Sequence, residues 1–456
     1  MDQALGIAAS SLNAQRAAMD VVSENLANAQ TPGYLTETAE LSALPSGADN
    51  VGSGVEVTSV AQARAALLAA NNWQAQASSS SLGALQQVLT GVNGLFPLGS
   101  VGATSTTAPI NNGLSGQLAD FWSSWDGLAQ NPSALAGRTE VVNQAVGLVT
   151  SLHTLSGQLS QMATTASATL SDQVTQLNSD LAQAAQINQS IVEARGSGSD
   201  VNSLEDQLNA IVGRLAQTAG VGVHPQADGT DVVAVGGVTL VQGNQAATVA
   251  VSTAGGVTSL TTNGGSVTLP VSSGSVSGLL SALNQYLPSY QTQLDAVAND
   301  LTSTVNGQLA LGYTASGVSG STDPLFGGSG ATGITVNPAV VADPTLLAAA
   351  TTTGPAAAND GSNAQAMAEL GTVPTGPDAA YQNLLSAVGT DTQSVNQQVS
   401  VQTSVADQAS QALNGTVGVN QDTELTHLMA SQQIFEASSK LVGVVDAAMQ
   451  ALLSAV

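Results

Sequence analysis

Two stretches at opposite ends of the chain carry the same seven-residue rhythm. Near the start, Leu5, Leu12, Met19 and Leu26 recur at that interval, with Val22 beside them. Near the end, Leu428, Phe435, Val442, Met449 and Val456 do the same, and Leu425, Leu441, Val445 and Leu452 widen the line into a stripe. No proline and a single glycine, Gly443, interrupt residues 422–456, so a long amphipathic helix is expected there. A sustained seven-residue spacing suits helices wound about each other in a left-handed supercoil. It also suits two ordinary core helices of a globular domain, and periodicity alone does not separate the two. Fixing one residue costs roughly 1–2 kcal/mol of backbone entropy. A well-buried large apolar side chain returns roughly 1.5–3 kcal/mol, and such side chains are a minority in either segment. Neither ribbon is expected to be rigid alone; each should be mobile in a free monomer and order on the other and on neighbouring copies.

The 456 residues leave room for several domains. Apolar residues make up 43%, a globular share, but aromatics are 3% and charged residues 8%, so thin cores and close helix contacts are expected. Six Lys and Arg stand against 31 Asp and Glu, giving a net charge of −25. The six cations are scattered, so no basic patch can neutralise phosphates or an anionic membrane surface. Absence of cysteine excludes disulfides, thiol catalysis and Cys-ligated metal. The start, MDQALGIAAS, lacks a basic region followed by an apolar run and is not a Sec-type signal. No apolar run reaches the roughly 18 residues of a membrane-spanning helix, so no membrane insertion is expected.

Residues 23–34 read Ser-Glu-Asn-Leu-Ala-Asn-Ala-Gln-Thr-Pro-Gly-Tyr. Pro32 fixes φ and biases Thr31 away from the helical region, and Gly33 accepts a positive φ ahead of Tyr34, the chemistry of a type II turn ending the first helix. The segment resembles the N-terminal signature of bacterial flagellar rod, hook and hook-associated proteins. Thr36 stands where that family commonly has Arg. Farther on, Phe121-Trp122-Ser123-Ser124-Trp125-Asp126-Gly127-Leu128-Ala129-Gln130-Asn131-Pro132 leads into Arg138-Thr139-Glu140-Val141-Val142. This segment and Asn202–Leu208 are similar to the hook-associated branch of the family, whose long helical insert rod and hook proteins lack. Asp206-Gln207-Leu208-Asn209 replaces the usual Asp-Gln-Arg-Asp, and Leu309 replaces a His, so no role of those residues carries over. Physically, Phe121, Trp122 and Trp125 are aromatics at helical spacing and read as anchors of a bundle core, with indole N–H groups that need partners when buried.

The expected fold is mainly α with an inserted β-rich domain: terminal coiled-coil helices plus an antiparallel bundle of long helices. Its parts are an N-terminal axial helix and turn (1–38), a mostly helical bundle domain (39–220), a β-rich outer domain (221–278), a bundle helix (279–312), a second part of the outer domain in loops and short strands (313–375), another bundle helix (376–421) and the C-terminal axial helix (422–456). Asp228-Gly229 and Asn263-Gly264 signal hairpin turns in the β-rich part.

Catalytic chemistry finds no support. Gly328-Ser329-Gly330-Ala331-Thr332-Gly333 matches a dinucleotide-loop string but follows a loop and precedes Ile334-Thr335-Val336-Asn337-Pro338 rather than a helix. His153, His224 and His427 sit in separate regions without ligand spacing. Asp228-Gly229-Thr230-Asp231 lacks an EF-hand spacing. No enzyme activity, cofactor or metal is expected. The resemblance implies a structural role in the flagellum, with export lacking a cleaved signal through the flagellar type III apparatus and an extracellular place at the hook–filament junction. It further implies a homo-oligomeric ring or tube formed through the two apolar seams, with hook protein, hook-associated protein 3 and an export chaperone as partners. The alternatives are another axial protein of hook or rod type, and a secreted adhesin or enzyme with axial-type ends.

Overall fold

The computed structural model describes residues 2–31, 34–45, 52–96, 113–226 and 228–455. Pro32, Gly33 and Val456 lie outside them. Helix α1 (Asp2–Asn28) precedes an antiparallel hairpin, β1 (Glu37–Ala43) and β2 (Val55–Gln62). Then come α2 (Ala66–Leu95), α3 (Gly113–Gln130), α4 (Leu135–Ser197) and α5 (Asn202–Ala219). Strands β3 (Gly222–Pro225), β4 (Asp231–Val235), β5 (Val238–Gln242) and β6 (Gln245–Ala246) form a four-stranded antiparallel sheet in sequence order. Strands β7 (Val249–Ala254), β8 (Val257–Thr262) and β9 (Val267–Thr268) form a three-stranded one. Helix α6 (Ser275–Ser281) runs through a π turn, Ala282–Tyr286, into α7 (Leu287–Ala310). The short elements β10 (Phe326–Gly327), α8 (Gly330–Gly333), β11 (Thr335–Val336), α9 (Pro338–Ala342) and α10 (Ser362–Glu369) lead to α11 (Pro377–Val417) and α12 (Gln421–Ala455).

The 63-residue α4 is about 95 Å long at 1.5 Å per residue and serves two cores in succession. The first core gathers the end of α2, α3, the first half of α4, α7, α10 and α11. Phe121 and Trp125 are fully buried there, and Phe121 meets Trp122, Trp125 and Phe326 at centroid distances of 5.0, 6.3 and 6.0 Å. Trp122 Nε1 donates to Asp378 Oδ2 at 2.7 Å, whereas the buried Trp125 Nε1 has no partner. The 313–375 segment, expected as a second part of the β-rich region, packs here instead: Leu325, Phe326, Ile334, Val340 and Leu347 are buried among the bundle helices. The second core joins the far half of α4, α5 and α6 to the two sheets through Val233, Val241, Val249 and Leu260.

The β insert leaves the helices at Gly220 and returns at Gly274. Both are left-handed (φ 62° and 81°), and the two chain segments cross there so closely that a Cβ on Gly274 would meet Thr218 backbone at 2.5 Å. The expected turns hold their places: Asp228 and Gly229 lie between β3 and β4, and Asn263 (φ 54°) with Gly264 (φ 66°) lies between β8 and β9.

Candidate assembly interface

Helices α1 and α12 lie against each other, antiparallel. Asn25 Nδ2 donates to Glu424 Oε2 (3.0 Å) near one end, and the hydroxyls of Ser11 and Ser438 meet at 2.9 Å farther along. On α1 the seam is built of small and amide residues. Ala4, Ser11, Ala18 and Asn25 share one phase, Ala8, Gln15 and Val22 the next, and all seven are buried or half-buried. Opposite them, Glu424, Ser438 and Val445 are buried and Ser431 is half-buried. Small side chains at the contact permit close axial approach.

The apolar residues expected to form the seams divide into three groups. Val22 and Val445 are buried at the contact. Leu12, Met19, Leu26, Leu428 and Val442 flank it half-buried, while Phe435 and Met449 lie at the exposed margin, 36% and 37% open. Leu5, Leu425, Leu441 and Leu452 are exposed, joined by Met429, Ile434, Val444 and Leu453, which the heptad reading did not include. Val456 lies outside the described residues. The signal for the centre of the seam is present in the sequence one position ahead of Leu5, Leu12, Met19 and Leu26, in the Ala4–Ser11–Ala18–Asn25 repeat.

Asn25 belongs to the signature run of residues 23–34, and the structure gives it a role. Asn25 is fully buried, and its amide is used in full. Nδ2 donates to Glu37 O (2.7 Å) and to Glu424, while Oδ1 accepts from Glu37 N–H (2.9 Å) and Tyr34 O–H (3.0 Å). One side chain thus ties together α1, the residue after the turn, the start of β1 and the start of α12. Thr31 belongs to the same corner: its N–H is held by Asn28 O (2.9 Å), and Tyr34 N–H donates to Thr31 O (3.2 Å). Burial and the nearby carboxylates of Glu37 and Glu24 push the Tyr34 phenol far up, so it stays protonated and donating. Asn420 caps α12 by accepting from Asp422 and Thr423 N–H (3.1 and 3.2 Å), which fixes where Glu424 meets Asn25.

The pair is set on the bundle through α5 and α11. Thr36 N–H donates to Val417 O (2.9 Å), Asn202 Nδ2 to Val60 O (3.1 Å) and Gln62 Nε2 to Asp206 Oδ1 (2.7 Å). Arg64 and Arg195 both pair with Glu205.

Family models match three parts of the chain. The flagellar hook-associated protein FlgK helical domain matches residues 104–326, the flagella basal body rod protein residues 5–34, and the C-terminal region of flagellar basal body rod FlgEFG proteins residues 409–455. The chain is thus similar to flagellar hook-associated proteins over its helical middle and to rod-type axial proteins at its two ends. Flagellar hook-associated protein 1 of Salmonella typhimurium is 28% identical over 335 residues, covering 70% of this chain and 59% of that protein; the Escherichia coli protein of the same description is 27% identical over the same span. The aligned region thus spans about three-fifths of those relatives' length. The fold is shared with the flagellar hook junction protein FlgK from Burkholderia pseudomallei, at a TM-score of 0.62 and 19% identity over 75% of this chain and 99% of that one. The rod-type matches fall on α1 with its turn and on α12, the two elements that Asn25 joins.

Proposed function

We propose that the chain is a structural, non-catalytic subunit of the bacterial flagellum that joins hook to filament. The observation that carries this reading is the apolar exposure of α12. Leu425, Met429, Ile434, Leu441 and Val444 are large, apolar and exposed on the sides of the helix that α1 leaves uncovered, and Leu452, seven residues on from the buried Val445, is exposed as well. Exposed apolar surface of this extent on one helix marks a protein contact, and the seven-residue repeat suits neighbouring helices of like design. In this reading α1 and α12 form a preassembled axial pair whose outer stripe packs on copies of the chain in a ring or tube. The bundle forms a second shell, and the β-rich part stands outside it. Hook protein lies on one side and hook-associated protein 3 on the other. Before assembly the stripe is covered by an export chaperone, and export proceeds through the flagellar type III apparatus without a cleaved signal to an extracellular place.

Deletion of residues 422–456 tests this. The truncated chain should keep a cooperatively folded bundle, since no α12 residue belongs to either core, yet fail to join filaments to hooks. Normal joining by the truncated chain would contradict the reading.

A further inference from the structure

The joint between the axial pair and α5 holds more hydrogen-bond acceptors than donors. Asp206, half-buried near the start of α5, receives Gln62 Nε2–H at 2.7 Å and the Leu35 backbone N–H. The other end of the same amide, Gln62 Oε1, is buried with no partner, and so is the neighbouring Thr36 Oγ1. Glu37 on β1, bonded to the Asn202 side chain, stands close enough that Asp206 acts on it electrostatically. The surrounding charges do not balance this. Glu24 on α1 and Asp200 ahead of α5 act on Glu37, Glu424 on α12 acts on Tyr34, and the cations at hand, Arg64 and Arg195, are both engaged by Glu205. An ionised Asp206 therefore leaves a buried carbonyl unsatisfied beside a carboxylate in negative surroundings, an arrangement that a single added donor repairs.

We propose that this joint is a proton-binding site, in which protonated Asp206 donates to Gln62 Oε1 while Gln62 Nε2 donates back, closing an acid–amide pair that fixes the axial pair on the bundle. The proton comes from solvent, and no other bond is made or broken. Burial is the main cause that pushes Asp206 up from 3.8 to about 6, against the lowering effects of Gln62, Leu35 N–H and Arg64. Because the docked state binds the proton more tightly than the undocked state, docking strengthens as pH falls through about 6 and is weakest above it. The joint is thus a hinge that mild acid stiffens, wherever the chain assembles.

Hydrogen exchange of the full-length chain, corrected for intrinsic rates, tests this in the segments around residues 34–37 and 60–63, with the interior of α4 as reference. Between about pH 7.5 and pH 5, protection of those segments relative to α4 should rise about tenfold in the wild type, from the two pKa values above. It should rise much less in Asp206→Asn, where the Glu37 carboxyl, which burial also raises, is the remaining proton acceptor. A flat or falling profile in the wild type, or a full rise in Asp206→Asn, would overturn the proposal. If Asp206→Asn disrupts α5, Asp206→Ala, which removes the titrating carboxyl and keeps a good helix former, takes its place: it should lose most of the rise, and an undiminished rise would equally overturn the proposal.

Discussion

Asn25 shows how much one side chain can settle in a chain with few charges. Its two donors and two accepting pairs are all used, toward the nearby Tyr34 and Glu37 and the sequence-distant Glu424. Asn25→Ala would orphan both backbone groups of Glu37 and one oxygen of the buried Glu424 carboxylate. Only the Glu424 bond crosses the helix pair, so at roughly 1–3 kcal/mol per buried unsatisfied group the α1–α12 pairing should weaken by about that amount, read as faster hydrogen exchange along α12 with α4 unaffected. Tyr34→Phe removes one bond and should cost about 0.5–1.5 kcal/mol in the same assay. Trp122 makes a second residue-scale case. Burial raises the Asp378 carboxyl, and the indole N–H restrains that rise. In Trp122→Phe the carboxylate loses its donor and its pKa climbs further. A raised folded pKa lowers stability above that value, and the loss disappears as pH falls through it toward the unfolded pKa. The variant should therefore be about 1–3 kcal/mol less stable in urea at pH 7 and clearly closer to wild type at pH 4.5.

At the scale of elements, the same device recurs. Asn178 with Val249, Asn188 with Asp231, Asn284 with Thr258 and Asn306 with Phe326 each donate to one residue's backbone C=O and accept from its N–H, as Asn25 does with Glu37. Each mimics a strand neighbour, so sheets and loops are fastened to helices by amides where other proteins use ion pairs. Asn188→Ala should loosen the β-rich part, by about 1–3 kcal/mol, without altering the first core. Gly274→Ala should be worse, because both the positive φ and the contact with Thr218 oppose a Cβ; a loss above about 2 kcal/mol in the urea transition of that part is expected. Here also lies the boundary of what the sequence revealed. The long helices, the β insert with its two turn dipeptides and the aromatic anchors were legible because periodicity and turn chemistry are local. Hairpin β1–β2 was half legible: Val55–Val60 alternates, but β1, Glu-Thr-Ala-Glu-Leu-Ser-Ala, has no β-branched alternation and owes its pairing to β2 and α1. The packing of Leu325, Phe326 and Ile334 into the bundle was hidden because their partners lie on α3, α4 and α7, far away in sequence. The seam was read one residue off, since large apolar residues draw attention, while the closest helix contact uses Ala, Ser and Asn.

For the whole molecule, the physical division lies between a bundle with two continuous cores along α4 and an axial pair that touches it through a few polar bonds. The bundle and its insert gather their buried apolar side chains into these two cores. The axial pair keeps its own outside, and among the described residues α12 carries more of the large exposed apolar side chains than any other element. A self-sufficient bundle and an apolar rod end are what a subunit needs if it folds alone and completes itself only in a polymer. The most direct measurement replaces Leu441 and Val444 together with Asp, two exposed residues outside both cores and away from the Asn25 node. The account predicts a chain with unchanged melting temperature and helix content that no longer joins filaments to hooks. Filaments attached to hooks at the wild-type frequency by that variant would contradict it.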